Sequence, residues 1–357
     1  MTGLLTRMSP QTLRIVALLA VLMAVLLFFA TQIDNYLTGR LFNRISSSVA
    51  IMALIATGQT LVILTRNIDL SVGSIVGFVA FATGSLIAAL PGLHPVALVL
   101  FAMGLGGLFG AANGLVVAYA RIPAIIVTLA TLAIFRSLLV EFSDGRSITS
   151  NTLPDWLVSF PNTTVFSIGD FDFRAGFLAA FLVVIIVHLA LNKLRAARRF
   201  YAVGSNPEAA EMAGIDTKRT VFTAFVLCGM LAGLAGFMFL ARFGNITVVA
   251  GFGFELKSIA AAVLGGVNIF GGSGTVIGAF IGAVLVDLIE TSLVRWPLVS
   301  EFWREAVLGT LILLAVTADA ILMRRLIKLR TDREAARDHE RERAAERDRA
   351  THAEAGS

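Results

Sequence analysis

The feature that most constrains this chain is a series of apolar runs, each close to the length of a bilayer. They cover residues 13–31, 47–65, 72–90, 95–119, 122–141, 174–192, 220–241, 256–272, 274–294 and 303–323. A helix needs about 20 apolar residues to cross the hydrocarbon core. Ten such runs describe an all-α polytopic membrane protein and leave no room for a soluble enzyme fold. Several runs are separated by only a few residues, so some are expected to be short or broken helices. Composition agrees: 57% of the residues are hydrophobic and 15% charged, against about 45–50% and about 25% in soluble domains. The first run is long for a signal-peptide core and no small-residue cleavage pattern follows it, so it reads as an uncleaved span.

Basic residues set the expected orientation. With the N-terminus inside, Arg66, Arg121, the Lys193–Arg199 cluster, Lys218, Arg219 and the Arg324–Arg330 cluster all face the cytoplasm. Only scattered arginines such as Arg40, Arg146 and Arg304 fall outside, which satisfies the positive-inside rule. An even number of spans returns the C-terminus to the cytoplasm. The net charge of +5 therefore reflects membrane topology and lipid, not nucleic acid. The expected division is a permease domain at 1–323 and a charged cytoplasmic tail at 324–357. Pairs such as Glu334/Arg337 and Glu346/Arg349 make that tail a solvated helix or a disordered segment. The outer segment 142–173 carries Trp156 between Pro154 and Pro161 and is long enough for a short helix or hairpin. It is either a docking surface or a plain connection.

Several chemistries are missing. Cys228 is the one cysteine, and the four histidines are dispersed, so no metal cluster is expected. There is no GxxxxGK[ST] motif, and the glycine-rich stretch Gly265–Gly274 contains no lysine. No nucleophile–base arrangement stands out, so the chain reads as a non-enzyme with no catalytic residues. If ATP powers it, ATP and magnesium belong to another polypeptide.

Glycines recur at intervals of four inside the apolar runs: Gly106, Gly110 and Gly114, and again Gly274, Gly278 and Gly282. On helices these form flat stripes that let backbones approach closely. Asn67–Gly77 also echoes Asn268–Gly278 through the pattern N-I-x4-G-[ST]-[IV]-[IV]-G. Transporters are often built from repeats with broken helices near the substrate path; the topology above makes these two copies parallel.

Polar side chains at membrane depth are costly and mark either function or helix contacts. Asn67, Asp69, Asn113, Thr128, Thr131, Asp287 and Glu290 are the candidates for lining a solute path, with helix–helix adhesion as the alternative for each. Asp69 is also placed to pair with Arg66, and Asp69 or Ser71 to cap the helix starting near Val72. Asp287 and Glu290 share one helix face near Arg295.

The segment 198–219 contains a short capped helix. Asn206 suits the N-cap, Pro207 the first position and Glu208 the first turn, and the helix runs over Pro207–Met212 and stops near Gly214. Such a knob between two spans suits the docking of a cytoplasmic protein.

With these residues the chain resembles the permease subunits of ABC importers for monosaccharides, the ribose/xylose type. The resemblance rests on Gly58–Ser74, Asn113-Gly114 with Arg121–Thr131, Ala202–Ala210 with Ala213-Gly214-Ile215, and Ile259–Gly266 with Phe270–Thr275. It implies a sugar-like solute delivered by an extracytoplasmic solute-binding protein, a cytoplasmic ATPase, and a second permease making a homodimer or a paralogous heterodimer in the bacterial inner membrane. It also implies that Gly204, Asn206, Pro207, Glu208, Ala213, Gly214 and Ile215 form the element that couples to the ATPase. Thr65-Arg66-Asn67 departs from the Thr-Gly-Gly form of ribose-type members and looks more like permeases for rhamnose or autoinducer 2. Rhamnose is favoured, with autoinducer 2 second. A branched-chain amino acid permease and an ion-coupled transporter are the rivals; the first would need a site for an ammonium and a carboxylate.

Overall fold

The computed structural model describes residues 10–303 and a few positions between 305 and 317. The tail from 324 and most of the run 303–323 lie outside the described residues. The long helices are α1 (Pro10–Gln32), α2 (Gly39–Leu64), α3 (Val72–Ala89), α4 (Pro95–Tyr119), α5 (Ala124–Ser143), α7 (Ala175–Lys193), α10 (Thr217–Phe243) and α12 (Val276–Arg295). These 8 are long and apolar enough to cross a membrane. Between them lie the short helices α6 (Asp155–Ser159), α8 (Arg195–Ser205), α9 (Pro207–Met212) and α11 (Phe254–Leu264). The fold is that of an all-α polytopic membrane protein.

Helix α2 forms the axis. Every residue from Val49 to Thr65 is buried, as expected of a helix that is apolar on all sides and packed on all sides. It contacts α7, α10, α11 and α12. By contrast α4, α5 and α7 leave large apolar side chains such as Leu108, Ile126 and Leu182 on the outer surface, where lipid replaces protein as their solvent.

The run 256–272 is not a span. Helix α11 ends at Leu264 after 11 residues, about 16 Å of rise and half a bilayer. The chain then turns through Gly266, Gly271, Gly272 and Gly274, all at positive φ, where side chains strain the backbone. The Asn268 carboxamide oxygen accepts from the Phe270 amide and closes the turn. Gly274 is therefore not part of a helical stripe. It sits at φ 141 in this turn, one residue before Thr275 caps α12 by accepting from the Gly278 amide.

The remaining stripe glycines pack backbone against backbone. A methyl group on Gly106 would overlap the Gly229 carbonyl, and one on Gly110 the Phe225 carbonyl. Gly114 faces Phe222 and Phe225. Helices α4 and α10 thus cross at close range. On the other side of the molecule Gly278 and Gly282 lie against Gly265 and Ala261 of α11.

The segment 142–173 holds both elements that its length allows. Helix α6 is followed by an antiparallel hairpin of β1 (Thr164–Ile168) and β2 (Phe171–Arg174). Asn43 of α2 anchors it, donating to Asp172 at 2.9 Å and accepting from the Asp172 amide at 3.0 Å.

Candidate functional site

Among the described residues, polar assemblies recur from the Arg66 end to the Arg295 end, and three of them hold the candidate residues. At the Arg66 end three backbones meet. The Gly272 amide donates to the Leu64 carbonyl at 3.0 Å, so the second copy of the repeated loop touches the helix end that leads into the first. The C-terminus of α8 wedges between them: a side chain on Gly204 would overlap the Leu64 carbonyl and crowd the Gly272 amide. Arg66 closes the joint, donating to the Gly204 carbonyl at 2.6 Å and to the Ser205 carbonyl at 2.7 Å. Its guanidinium is spent on these carbonyls and not on Asp69. Arg66 itself has φ 66, an expensive conformation for a residue with a side chain.

Helix α9 follows this joint directly. Asn206 accepts from the Ala209 amide at 3.1 Å, Pro207 occupies the first position and Gly214 ends the turn at φ 79. The Ile215 amide returns to the Ala210 carbonyl at 2.9 Å. Ala213 is the C-cap, and Asp216 then caps α10 by accepting from the Arg219 amide at 2.9 Å. The helix is short but closed at both ends and exposes Glu208 and Met212.

One to two turns deeper is a buried knot. The Asp69 carboxylate accepts from the Ser71 amide at 2.8 Å and the Ser71 hydroxyl at 2.7 Å. That hydroxyl accepts from the Asn113 amide group at 2.8 Å, and Gln59 donates to the Asp69 carbonyl at 3.2 Å. Thr128 bonds the Ile68 carbonyl at 3.3 Å. Asp69 therefore turns the chain into α3, while Ser71 spends its hydroxyl on Asn113 and makes no side-chain cap. Asn67 folds back onto the Thr65 carbonyl at 2.8 Å and Thr131 onto the Thr128 carbonyl at 3.3 Å. Asp69, Asn113 and Thr128 thus tie the loop between α2 and α3 to α2, α4 and α5, whereas Asn67 and Thr131 bond only within their own segments.

Asp287 and Glu290 lie elsewhere, in the half nearer Arg295. They do not pair with Arg295, which covers the Tyr36 ring at 5.5 Å. Glu290 pairs with Lys257 of α11 at 2.7 Å. The charged groups acting on Asp287 are Arg242 of α10, Glu290 and Lys257, and Ser48 of α2 faces it. Asp287, Glu290, Arg242 and Ser48 line a cavity of about 200 Å³ together with Arg44, Met52, Phe243, Phe254 and Thr291, and Lys257 stands behind Glu290. Arg44 also lines a larger polar cavity of about 720 Å³ that includes Asn35, Arg40, Asn43 and Arg295. Arg44, Ser48, Arg242 and Lys257 were not among the residues singled out from sequence. Lone charges within otherwise apolar runs were the available signal, and Arg242 and Lys257 carry it.

A polytopic bundle with a short capped helix between two spans and polar groups walled into its interior is the architecture of a solute permease. The chain belongs to the family described as branched-chain amino acid transport system / permease component, which matches residues 41–316. It is an ABC importer permease, the class its motifs resemble. It is 37% identical over 313 residues to the autoinducer 2 import system permease protein LsrC of Enterobacter sp. (strain 638), covering 87% of this chain and 88% of that protein. It is 40% identical over 304 residues to the protein of the same name from Yersinia pestis (strain Pestoides F), covering 84% of each. The LsrC of Yersinia pseudotuberculosis serotype O:3 (strain YPIII) gives the same identity and coverage. No solved structure matches the chain.

Proposed function

We propose that this chain is one permease of an inner-membrane ABC importer for autoinducer 2, with both termini in the cytoplasm. The Arg66 end then faces the cytoplasm and the Arg295 end receives solute from a binding protein. Hydrolysis of ATP falls to a separate ATPase that docks on α9 and the residues Gly204–Ile215. The observation that carries the coupling role is the joint itself: the docking helix hangs from Gly204, which is wedged between the end of α2 and the second repeat loop and clamped by Arg66. A push on α9 reaches the loop that holds Asp69 without passing through a flexible linker. A paralogous second permease is the partner expected of such a system.

The substrate follows from the relatives, all three of which carry autoinducer 2 in their names. That reverses the order favoured from Thr65-Arg66-Asn67 alone and leaves rhamnose as the second reading. The deciding measurement is uptake by proteoliposomes holding this permease, its partner permease, the ATPase and the binding protein. ATP-dependent uptake of autoinducer 2 and not of L-rhamnose is expected. Uptake driven by an ion gradient without the ATPase would overturn the importer reading.

A further inference from the structure

We propose that the cavity between α2, α10, α11 and α12 is a solute station for a small neutral molecule bearing adjacent hydroxyl or carbonyl oxygens. The inference deepens the importer reading and rests on it for the solute class, though not for the existence of the site. Four observations carry it.

The first is an unpaired atom. Asp287 is 8% exposed, and its Oδ2 has no hydrogen-bond partner among the described residues. A buried carboxyl oxygen left without a hydrogen-bond partner destabilises the folded protein. A hydroxyl group delivered from outside removes that cost. The second is the composition of the wall. Arg44, Arg242, Asp287 and Glu290 supply two positive and two negative groups, and Ser48 and Thr291 add hydroxyls. Lys257 already pairs Glu290 at 2.7 Å. With Glu290 held by Lys257, the wall leaves Arg44 and Arg242 as donors beside the free Asp287 oxygen and the Ser48 and Thr291 hydroxyls, and donors and acceptors side by side suit a diol or hydroxyketone.

The third is shape. Phe243, Phe254, Ile51, Met52 and Val294 form the apolar remainder of the wall, against which the carbon face of such a molecule packs. The volume of about 200 Å³ is below the roughly 300–1,000 Å³ of clefts for drug-sized ligands, so the occupant is about the size of one sugar ring. The fourth is access. Arg44 lines both this cavity and the 720 Å³ cavity beyond it, so solute entering at Asn35, Arg40 and Arg295 meets Arg44 before Asp287.

The test uses the importer complex in lipid nanodiscs, with autoinducer 2, L-rhamnose and L-leucine as probes. Saturation-transfer NMR reads direct contact with the permease, and uptake gives Km and turnover. Autoinducer 2 is expected to show transfer. Asp287→Asn is expected to weaken it and to raise Km by at least about tenfold, the size of one lost hydrogen bond to a charged group. The fall in turnover is expected to be smaller than the rise in Km, and the ATPase still co-purifies. Ser48→Leu, which fills the cavity and removes the hydroxyl facing Asp287 while leaving every charged residue in place, is expected to do the same. Unchanged transfer and Km in both variants would overturn the station. So would preferential binding of L-leucine, which would make the four charges an amino acid site. If transfer is seen and lost in the variants but uptake never depends on ATP, the station stands and the importer reading falls.

Discussion

The Arg66 guanidinium donates to the Gly204 carbonyl at 2.6 Å across 138 residues of sequence. One side chain thus ties the end of α2 to the segment that carries the short helix α9. Arg66→Ala removes two bonds from a charged donor to backbone carbonyls, one of them at an exposed site. The expected result is a loss of about tenfold in solute moved per ATP hydrolysed, the equivalent of about 1.4 kcal/mol. Arg66→Gly removes the same bonds but relieves the positive φ, so it is expected to melt above Arg66→Ala while transporting no better. Thermal melting and the transport-to-hydrolysis ratio, measured together, separate the two effects.

Gly204 has no space for a side chain. Gly204→Val forces the Leu64 carbonyl and the Gly272 amide apart, and overpacking of this kind costs about 1–3 kcal/mol. A lowered melting temperature in detergent is expected. Tight binding of the ATPase despite an unshifted melting temperature would argue against the joint.

For the docking helix, Glu208→Lys and Gly214→Val are expected to reduce ATPase association and uptake together while membrane insertion persists. Asn206→Ala removes one cap bond, worth about 1 kcal/mol, and is expected to weaken association less than Glu208→Lys. Co-purification of the ATPase ranks the three.

The pair Lys257–Glu290 is asymmetric: the lysine side chain is 12% exposed and the glutamate 41%. Glu290→Gln leaves a buried ammonium with only the more distant Glu305 carboxylate at 3.8 Å, whereas Lys257→Met leaves a carboxylate that still reaches water. Glu290→Gln is therefore expected to lower the melting temperature further, and the double variant to recover most of the loss. Equal effects of the two single variants would show that burial does not control the pair.

Glycine spacing separates contact from coincidence. A methyl group placed on Gly104 would meet nothing within 4 Å, whereas Gly106 is pressed on Gly229 and Gly233. Gly104→Leu is expected to leave yield and melting unchanged, and Gly106→Leu to abolish the folded monomer peak in size-exclusion chromatography.

Local chemistry was legible in the sequence and distant pairing was not. The helix over Pro207–Met212 is set by Asn206, Pro207, Glu208 and Gly214, all within one short segment, so its bounds follow from the residues themselves. The apolar spans are equally local. The run 256–272 misleads because hydropathy does not register Gly265–Gly266 and the Asn268 turn as a break. The cavity was half visible: Asp287 and Glu290 stand out on one helix face. Their partners Arg242 and Lys257 come from two other helices, and nothing along the chain says which arginine an aspartate will meet. Asp69 illustrates the opposite case, a conspicuous acid whose bonds to Ser71 serve the turn into α3.

The crossing of α4 and α10 leaves no side chains between Gly106 and Gly229. Interfaces that slide do so by letting rotamers hop from one well to another, and at this crossing point there are none to hop. Helices α4 and α10 consequently turn as one lever. Whatever motion opens the permease to either side must be taken up where the chain bends, at Arg66 and in the glycine turn after α11, and any solute that holds those bends still will stall the cycle.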